Sequence, residues 1–546
     1  MANRAVFKSH GVEARVPEAA AVNDAGGRAY ALDSKHALAL FAVTGTFNST
    51  FYVKAEDHLA RVKELLDKLG PGEIEFVSKL AVYAREQGFM KDAPAFLAAW
   101  VMANDKTGDW FPKVFPRVVK NGKMLGTFWQ ILNSGVVGRK GVGSRPKRVI
   151  ANWFNSKDED FLFRTSIGVA KPGLADVLRA VHPRAETPSR LALYGYLSGR
   201  NRPEYANAAA KKGFRAVSEE ALPALVRQVE AFKKDPSSVA TPEVDFRLLS
   251  SLPLTSKQWT DIALAASWQT LRMNLNTLLR HDVFKDASVT KKLADKLRNK
   301  EEIARAKVFP YQLLAAYLNH DDGVPRAMID ALHDAMELSV ENVPAIEGKL
   351  VICPDVSGSM SSPITGHRGD GATSKMRCID VAALFAVCLL RKNPDARVLP
   401  FEGDVRTLKI EPRDSILTNA TKLASIGGGS TNCAAPLALL NREKTKVDAV
   451  VYISDSESWV DTTQLHGPYA RGTGMANEFV QLAVRSPKVK LMAIDITPSR
   501  SVQLQSDESV LNVGGFSDEV FKVSQMFLSG QLGKGEWLAR IEEVRL

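Results

Sequence analysis

The sequence predicts a multidomain protein. An α-solenoid is followed by an α/β domain with a doubly wound, mostly parallel sheet. Three observations carry this. Before residue 345 apolar residues recur at helical spacing between short breaks, with no convincing β-alternation. After Gly348 short apolar runs alternate with helical segments, the pattern of strands buried on both faces. Charge divides at the same place: residues 346–546 hold 23 Lys/Arg and 23 Asp/Glu, so the whole net charge of +11 belongs to the first 345. A chain of 546 residues also exceeds one ordinary core. The expected division is an arm (1–30), a helical domain (31–345) and an α/β domain (346–546).

Residues 1–30 are polar and rich in Ala and Gly, ending in Asp24-Ala25-Gly26-Gly27. From Asp33 onward helix follows helix. In Pro71–Gly88, Pro71 suits the first turn, Glu73 and Glu75 suit the positive end, and Gly88 stops the helix. Ile74, Val77, Leu80, Ala81 and Ala84 share one face. Asp92–Ala103, Pro172–His182, Pro188–Leu197, Ser218–Lys233, Ser256–Ala266, Thr290–Arg305, Pro310–Asn319 and Pro325–Val340 repeat the pattern. Such helices stack in pairs, and without a strict sequence repeat they read as degenerate, HEAT-like units. Stacked pairs curve, and a closed ring is the expected limit of that curvature.

Between Asp109 and Asp158 the chain has no acidic residue. Lys113, Arg117, Lys120, Lys123, Arg139, Lys140, Arg145, Lys147 and Arg148 lie there, around a glycine-rich loop from Gly135 to Arg145. Lys and Arg neutralise phosphates, and glycines let a backbone approach them. Ordinary surfaces mix signs, so this stretch points to nucleic acid; a solvated basic face is the plainer alternative. Trp110, Phe128, Trp129, Trp153 and Phe154 flank the charge, and for them core packing is favoured over base stacking. Gly138 to Gly143 imitate the spacing of an ATP-binding loop. Ser144 stands where the lysine should be, and a helix rather than a strand precedes the loop, which excludes that reading.

In the last part, Lys349–Cys353, Ala396–Phe401, Val405–Ile410, Val447–Ser454 and Val489–Ile496 read as strands, with an edge hairpin at Gly403-Asp404. Ser374–Lys392, Asp414–Ala424, Cys433–Asn441, Ala476–Ser486 and Asp518–Leu528 read as helices. Three loops carry oxygen donors: Asp355-x-Ser357-x-Ser359, the Gly427–Asn432 loop with Thr431, and Asp455 directly after a strand. Sites form at the C-terminal ends of parallel strands, and two carboxylates among hydroxyls suit Mg²⁺. The plainer alternatives are a strand-ending turn at Asp355 and a helix cap at Thr431.

These motifs, in this order, resemble the metal-ion-dependent adhesion site of von Willebrand factor A domains. A helical array followed by an A domain with Asp-Val-Ser-x-Ser-Met resembles the Ro (SS-A) autoantigen family, whose N-terminal part is the TROVE module. Arg145–Asn155, Val308–Leu314, Thr277–Arg280 and Gly515-Phe516 carry further similarity. The resemblance implies a ring that binds structured noncoding Y RNAs outside and single-stranded RNA 3′ ends within. It also implies roles in ribosomal RNA maturation or decay, sometimes beside an exoribonuclease. It places RNA contacts on Arg139, Lys140, Arg145, Lys147 and Arg148, with Arg164 and Lys171 as weaker members; Lys120 and Lys123 join the RNA-binding candidates from the carboxylate-free segment itself. It places metal, Mg²⁺ or another divalent cation, on Asp355, Ser357, Ser359, Thr431 and Asp455, with one position left for an external carboxylate or water. At Lys171-Pro172-Gly173-Leu174 the chain departs from the family's Trp-Ser-His-Lys, so that histidine's RNA contact is not carried over.

The expected function is a monomeric, non-catalytic ribonucleoprotein scaffold. The rivals are a Mg²⁺-dependent nuclease and a protein-interaction adaptor; nucleases commonly use two metals and more carboxylates than the two here. Cys353, Cys378, Cys388 and Cys433 have no Cys-x-x-Cys spacing and read as reduced thiols of a cytoplasmic protein. Met1–Pro17 lacks an apolar leader, and the run Val381–Leu390 is too short to span a bilayer, so no membrane partner is expected. Arg368-Gly369-Asp370 spells an adhesion tripeptide, read as chance.

Overall fold

The computed structural model describes residues 16–45, 47–166, 172–199, 218–237, 239–249, 252–306, 308, 310–343, 345–367, 375–460, 472–531 and 536–546. The chain condenses into two compact units. One runs to Leu59 and resumes over Val343–Leu538; the other is Ala60–Asn342 with Ala539–Leu546. Mostly helical structure precedes a parallel-sheet domain, as the sequence predicts.

The sheet-bearing unit is built on five parallel strands: β3 (Leu350–Pro354), β4 (Arg397–Val398), β5 (Ala449–Ser454), β6 (Lys490–Asp495) and β8 (Val510–Gly514). Their spatial order is β4-β3-β5-β6-β8. Every residue of β3, β5 and β8 is buried, which explains their unbroken apolar runs. In register, Val351 faces Val450 and Val451 faces Met492. Helix Cys378–Lys392 is buried from Cys378 through Leu390 and packs on β3 and β5. None of the four cysteines is in a disulfide, and all are buried.

Of the expected arm 1–30, residues 1–15 lie outside the described residues; the rest is built into the sheet-bearing unit. β1 (Ala21–Val22) and β2 (Arg28–Ala31) pair antiparallel, and β2 also pairs with β7 (Ser501–Val502), Tyr30 opposite Val502. Helix Ser34–Thr44 follows, capped by Asp33. Read in the sequence as the first helix of the array, it instead packs on β8. Its residues His36 through Thr44 are all buried, so it has no polar face for solvent. The His36 Nε2 lies 3.1 Å from the Asn512 carbonyl, and a Cβ on Gly514 would meet Leu40 at 2.5 Å. The division thus differs from the expected break at residue 31, and strands do occur before residue 345.

Two further differences are local. Val405–Ile410 is not a strand: only an isolated Phe401–Val405 bridge forms, because the chain curls so that Glu402 N donates to Asp404 O at 3.0 Å and Arg406 N to Pro400 O at 2.7 Å. β8 was missed in the sequence because its apolar run is interrupted by Asn512 and ends at Gly514.

The helical unit is a chain of short-range packings. Ile74–Glu86 rests on Asp92–Asn104 and Phe111–Val118; Asp92–Asn104 also rests on Gly122–Ser134, and Phe111–Val118 on Ser144–Ser156. Each helix leans on the next one or two, the arrangement of a stacked array. The expected Thr290–Arg305 helix is two, Ala287–Leu297 and Lys300–Ala306. Asn299 restarts the second, its Oδ1 accepting from Glu302 N at 2.8 Å. Among the described residues no helix is long and apolar enough to cross a membrane.

Candidate metal centre and nucleic-acid interface

β3 lies between β4 and β5, so the strand order reverses at it, and a crevice opens at its C-terminal end. Asp355 sits there. Its N–H donates to Ile453 O at 2.9 Å, and that of Val356 donates to Phe401 O at 2.9 Å, so both neighbouring strands hold it. Its Oδ1 accepts from Ser357 N at 2.8 Å and its Oδ2 from the Ser454 hydroxyl at 2.6 Å. The Ser357 and Ser359 hydroxyls are 3.3 Å apart, and Ser359 and Asp455 line the same pocket.

The glycine loop is clamped to this turn. Gly428 N donates to Val356 O at 3.0 Å and Gly358 N to Gly429 O at 2.8 Å. A Cβ on Gly427 would fall 2.6 Å from Val356 O, so only glycine allows the approach. Thr431 is buried in this loop, and its carbonyl accepts from Trp459 N at 3.1 Å, which ties in the third loop. The following helix, Ala435–Arg442, has Ala434 at its cap, so Thr431 is not a helix cap. In the third loop Ser456 takes a left-handed backbone (φ 59°), a conformation costly for a non-glycine residue. That turn lets Glu457 N donate back to Asp455 Oδ1 at 3.2 Å.

Asp355, Ser357, Ser359 and Asp455 thus come into mutual contact, with Thr431 in the adjoining loop. Burial, with the charge of Asp455 second, pushes Asp355 up to about 7. Burial also raises Asp455. Two acids the sequence reading passed over join them. Burial, then Asp455 and Asp24, hold Glu457 well above the usual carboxylate range. Burial, with Asp455 adding to it, pushes Asp495 up to about 7. Asp495 ends β6, one strand from Asp455, and acids closing successive parallel strands were a signal available in the sequence. No cluster of three or more His, Cys, Asp or Glu side chains around one point occurs among the described residues. Any ion here would lean on hydroxyls as much as on carboxylates. Buried carboxyls that repel one another, beside hydroxyl oxygens, are a donor set that a hard divalent cation would relieve.

In the helical unit, the carboxylate-free stretch forms helices Phe111–Val118, Gly122–Ser134 and Ser144–Ser156 with the glycine loop between the last two. Gly135, Gly138 and Gly141 all take positive φ, 75°, 79° and 77°. Gly138 N closes a tight turn on Gly135 O at 3.0 Å. Lys123, Arg139, Lys140, Arg145, Lys147 and Arg148 are exposed. Among the described residues no carboxylate pairs with any of them. Lys120 is partly neutralised, 3.4 Å from Glu86, which also holds Arg117 at 2.5 Å. Arg164 is exposed, and its guanidinium donates to the Glu243 carbonyl. Lys171 lies outside the described residues. A groove of about 360 Å³ runs between Asp105–Phe111 and Arg139–Val149, with Arg145 Nη1 donating to Lys106 O at 2.9 Å.

The flanking aromatic residues are core. Phe128, Trp129, Trp153 and Phe154 are buried, and Trp153 Nε1 donates to Val119 O at 2.7 Å. Trp110 is half-buried, with the Lys113 ammonium 5.3 Å from its ring.

A doubly wound domain with three donor-bearing loops at its switch point, joined to a helical array, defines a class, and comparison places it. Residues 349–528 match the Ro60 vWA domain family. The chain as a whole resembles the Ro family. It is 26% identical to "RNA-binding protein RO60" of Deinococcus radiodurans over 549 residues, 95% of this chain and 97% of that protein. The crystal structure of the Deinococcus radiodurans RO (RSR) protein matches its fold with a TM-score of 0.59 at 21% identity, covering 91% of this chain and all of that one.

Proposed function

We propose that this protein binds RNA through the basic segment between Asp109 and Asp158 and acts as a scaffold, not as an enzyme. The observation that carries this is six exposed cations, Lys123, Arg139, Lys140, Arg145, Lys147 and Arg148, on a stretch with no carboxylate to neutralise them. Phosphate contacts from such a surface supply affinity irrespective of sequence and weaken as salt rises. Because the neighbouring aromatic rings are buried, selectivity rests on RNA shape and a free single-stranded end more than on base stacking. The RNA class is structured noncoding RNA of the Y type together with precursor or misfolded RNAs bearing 3′ tails. The setting is RNA quality control or ribosomal RNA maturation, with an exoribonuclease as the working partner. The relative's name, an RNA-binding protein, supports this reading.

The sheet-bearing unit is proposed to hold one divalent cation, Mg²⁺ by donor chemistry, on Asp355, Ser357, Ser359, Thr431 and Asp455. A bound cation would neutralise acids that burial otherwise keeps protonated. The chain's own contribution is positional: Ser357 N and the Ser454 hydroxyl orient Asp355, and Glu457 N orients Asp455.

The test is binding of an RNA with a structured body and a 3′ tail across a salt series. It compares the natural chain with one carrying Arg139, Lys140, Arg145, Lys147 and Arg148 changed to Glu. Equal affinity at every salt concentration sinks the RNA assignment of this segment. Mg²⁺-dependent RNA cleavage that vanishes in Asp355→Ala sinks the scaffold reading in favour of a nuclease.

A further inference from the structure

The mouth of the acidic crevice is filled by the chain itself. After helix Ser34–Thr44 the backbone returns across the crevice as a short loop. Asn48 Nδ2 donates to Thr365 O at 2.8 Å, and His367 N donates to Ser49 O at 2.7 Å, which pins the loop beside the Asp355–Ser359 turn. Thr50 N closes on Val53 O at 2.8 Å, and Ala55 N donates to the Ser49 hydroxyl at 3.1 Å, so the loop is held at both ends. Its apex presents Tyr52, packed edge-on against Phe51 with ring centroids 4.8 Å apart. Tyr52 shares one pocket with Ser359, Asp455 and Glu457, near enough to Asp455, Glu457 and Asp355 to feel their charges. Tyr52, Val53, Ser359, Asp455, Glu457 and Asp24 line one pocket, and the space left in it is about 20 Å³. That is room for about one water molecule and too little for a carboxylate-bearing side chain.

The N-terminal segment braces the other rim. Asn23 Nδ2 donates to Ser458 O at 2.7 Å and Ala25 N to Glu457 Oε2 at 3.0 Å. A Cβ on Gly27 would fall 1.9 Å from Ser458 O, so the two backbones are in direct contact. The rim is therefore assembled from residues remote in sequence, and among the described residues lining the pocket Tyr52 is the one phenol.

We infer that the Tyr52 hydroxyl is the built-in occupant of the cation's outward position, so that this centre holds its metal closed against external carboxylates. The inference rests on the metal reading of Asp355, Ser357, Ser359, Thr431 and Asp455. An open site would present the ion to a partner's acid. A site stoppered by a neutral phenol keeps the ion as an internal brace among three loops and the N-terminal segment.

Mn²⁺ is the probe, since it takes hard oxygen ligands and its bound waters are read by water-proton relaxation. The full-length chain is titrated with Mn²⁺ alone and then with sodium acetate, as the natural protein, as Tyr52→Phe, as Tyr52→Ala and as Asp355→Asn. Tyr52→Phe keeps the ring and its packing, so a changed signal reports the hydroxyl and not a lost fold. The natural protein should give a low relaxation enhancement that acetate leaves unchanged. Tyr52→Phe should raise the enhancement roughly twofold by admitting one more exchanging water. In Tyr52→Ala acetate should then lower it by displacing that water. Equal enhancement in the natural protein and Tyr52→Phe, with Mn²⁺ bound in both, overturns the stopper and leaves the metal reading intact. Mn²⁺ binding that Asp355→Asn does not weaken, or no saturable binding at all, overturns the metal reading and the stopper with it.

Discussion

The two units treat charge in opposite ways. In the sheet-bearing unit Asp355, Asp455, Glu457 and Asp495 are buried within a few loops, and every one of them is pushed toward its protonated form. In the helical unit most cations between Asp109 and Asp158 are exposed, and among the described residues most lack an acidic neighbour. Buried like charges are costly and persist only where something specific compensates them. Exposed like charges cost little, act additively and fade with salt. The first arrangement is a site defined by geometry. The second is a surface defined by density.

That contrast is broken most severely by charge reversal. Changing Arg139, Lys140, Arg145, Lys147 and Arg148 to Glu should lower RNA affinity by about a thousandfold at low salt. The slope of log affinity against log salt should flatten by about 3.5, read by fluorescence anisotropy. The same variant should bind Mg²⁺ as the natural chain does. Next comes the acidic site. At a hundred times its dissociation constant Mg²⁺ should add about 2.7 kcal/mol of unfolding stability, an increment absent from Asp355→Asn and Asp455→Asn in calorimetry. RNA affinity in those variants should be unchanged; a parallel loss would mean the two regions are one site.

Smaller effects sharpen the division between surface charge and the core beneath it. Trp153→Phe removes the donor to Val119 O and should cost about 1–2 kcal/mol in chemical denaturation, with the salt slope of RNA binding preserved. Least of all is Asp105→Asn. Burial opposes ionisation of Asp105, but bonds from the Phe111, Gly108 and Trp110 N–H groups outweigh it and hold the carboxyl below its ordinary value. A depressed carboxyl stabilises the fold above the unfolded value near 3.8, and that stability is lost as pH falls through the lower folded value. The group is largely solvated, so the difference should stay below about 1 kcal/mol at neutral pH and vanish in acid melts.

The general architecture was legible because parallel strands buried on both faces must be apolar throughout, and array helices must be amphipathic. Asp355, Ser357 and Ser359 could be read because one strand end delivers all three. What escaped were features with no local signature. Helix Ser34–Thr44 looks like any other helix, and only its uniform burial assigns it to β8. Asp24, Tyr52 and Glu457 converge from segments some four hundred residues apart, and nothing in Thr50-Phe51-Tyr52-Val53 announces what it covers. Thr290–Arg305 was overextended because a polar restart at Asn299 disturbs the helical period very little.

One pairing described above has a consequence in time. β2 forms its outer edge with β7, Tyr30 against Val502, across more than 470 residues of sequence. At about 5–20 residues per second, synthesis of the intervening chain takes roughly half a minute to a minute and a half. For most of that interval, until the strands from Leu350 onward are made, Tyr30, helix Ser34–Thr44 and the Tyr52 loop have no sheet to join, while the helices from Ala60 onward can already stack on one another. This segment, made well before its partners, is therefore among the last to find its place.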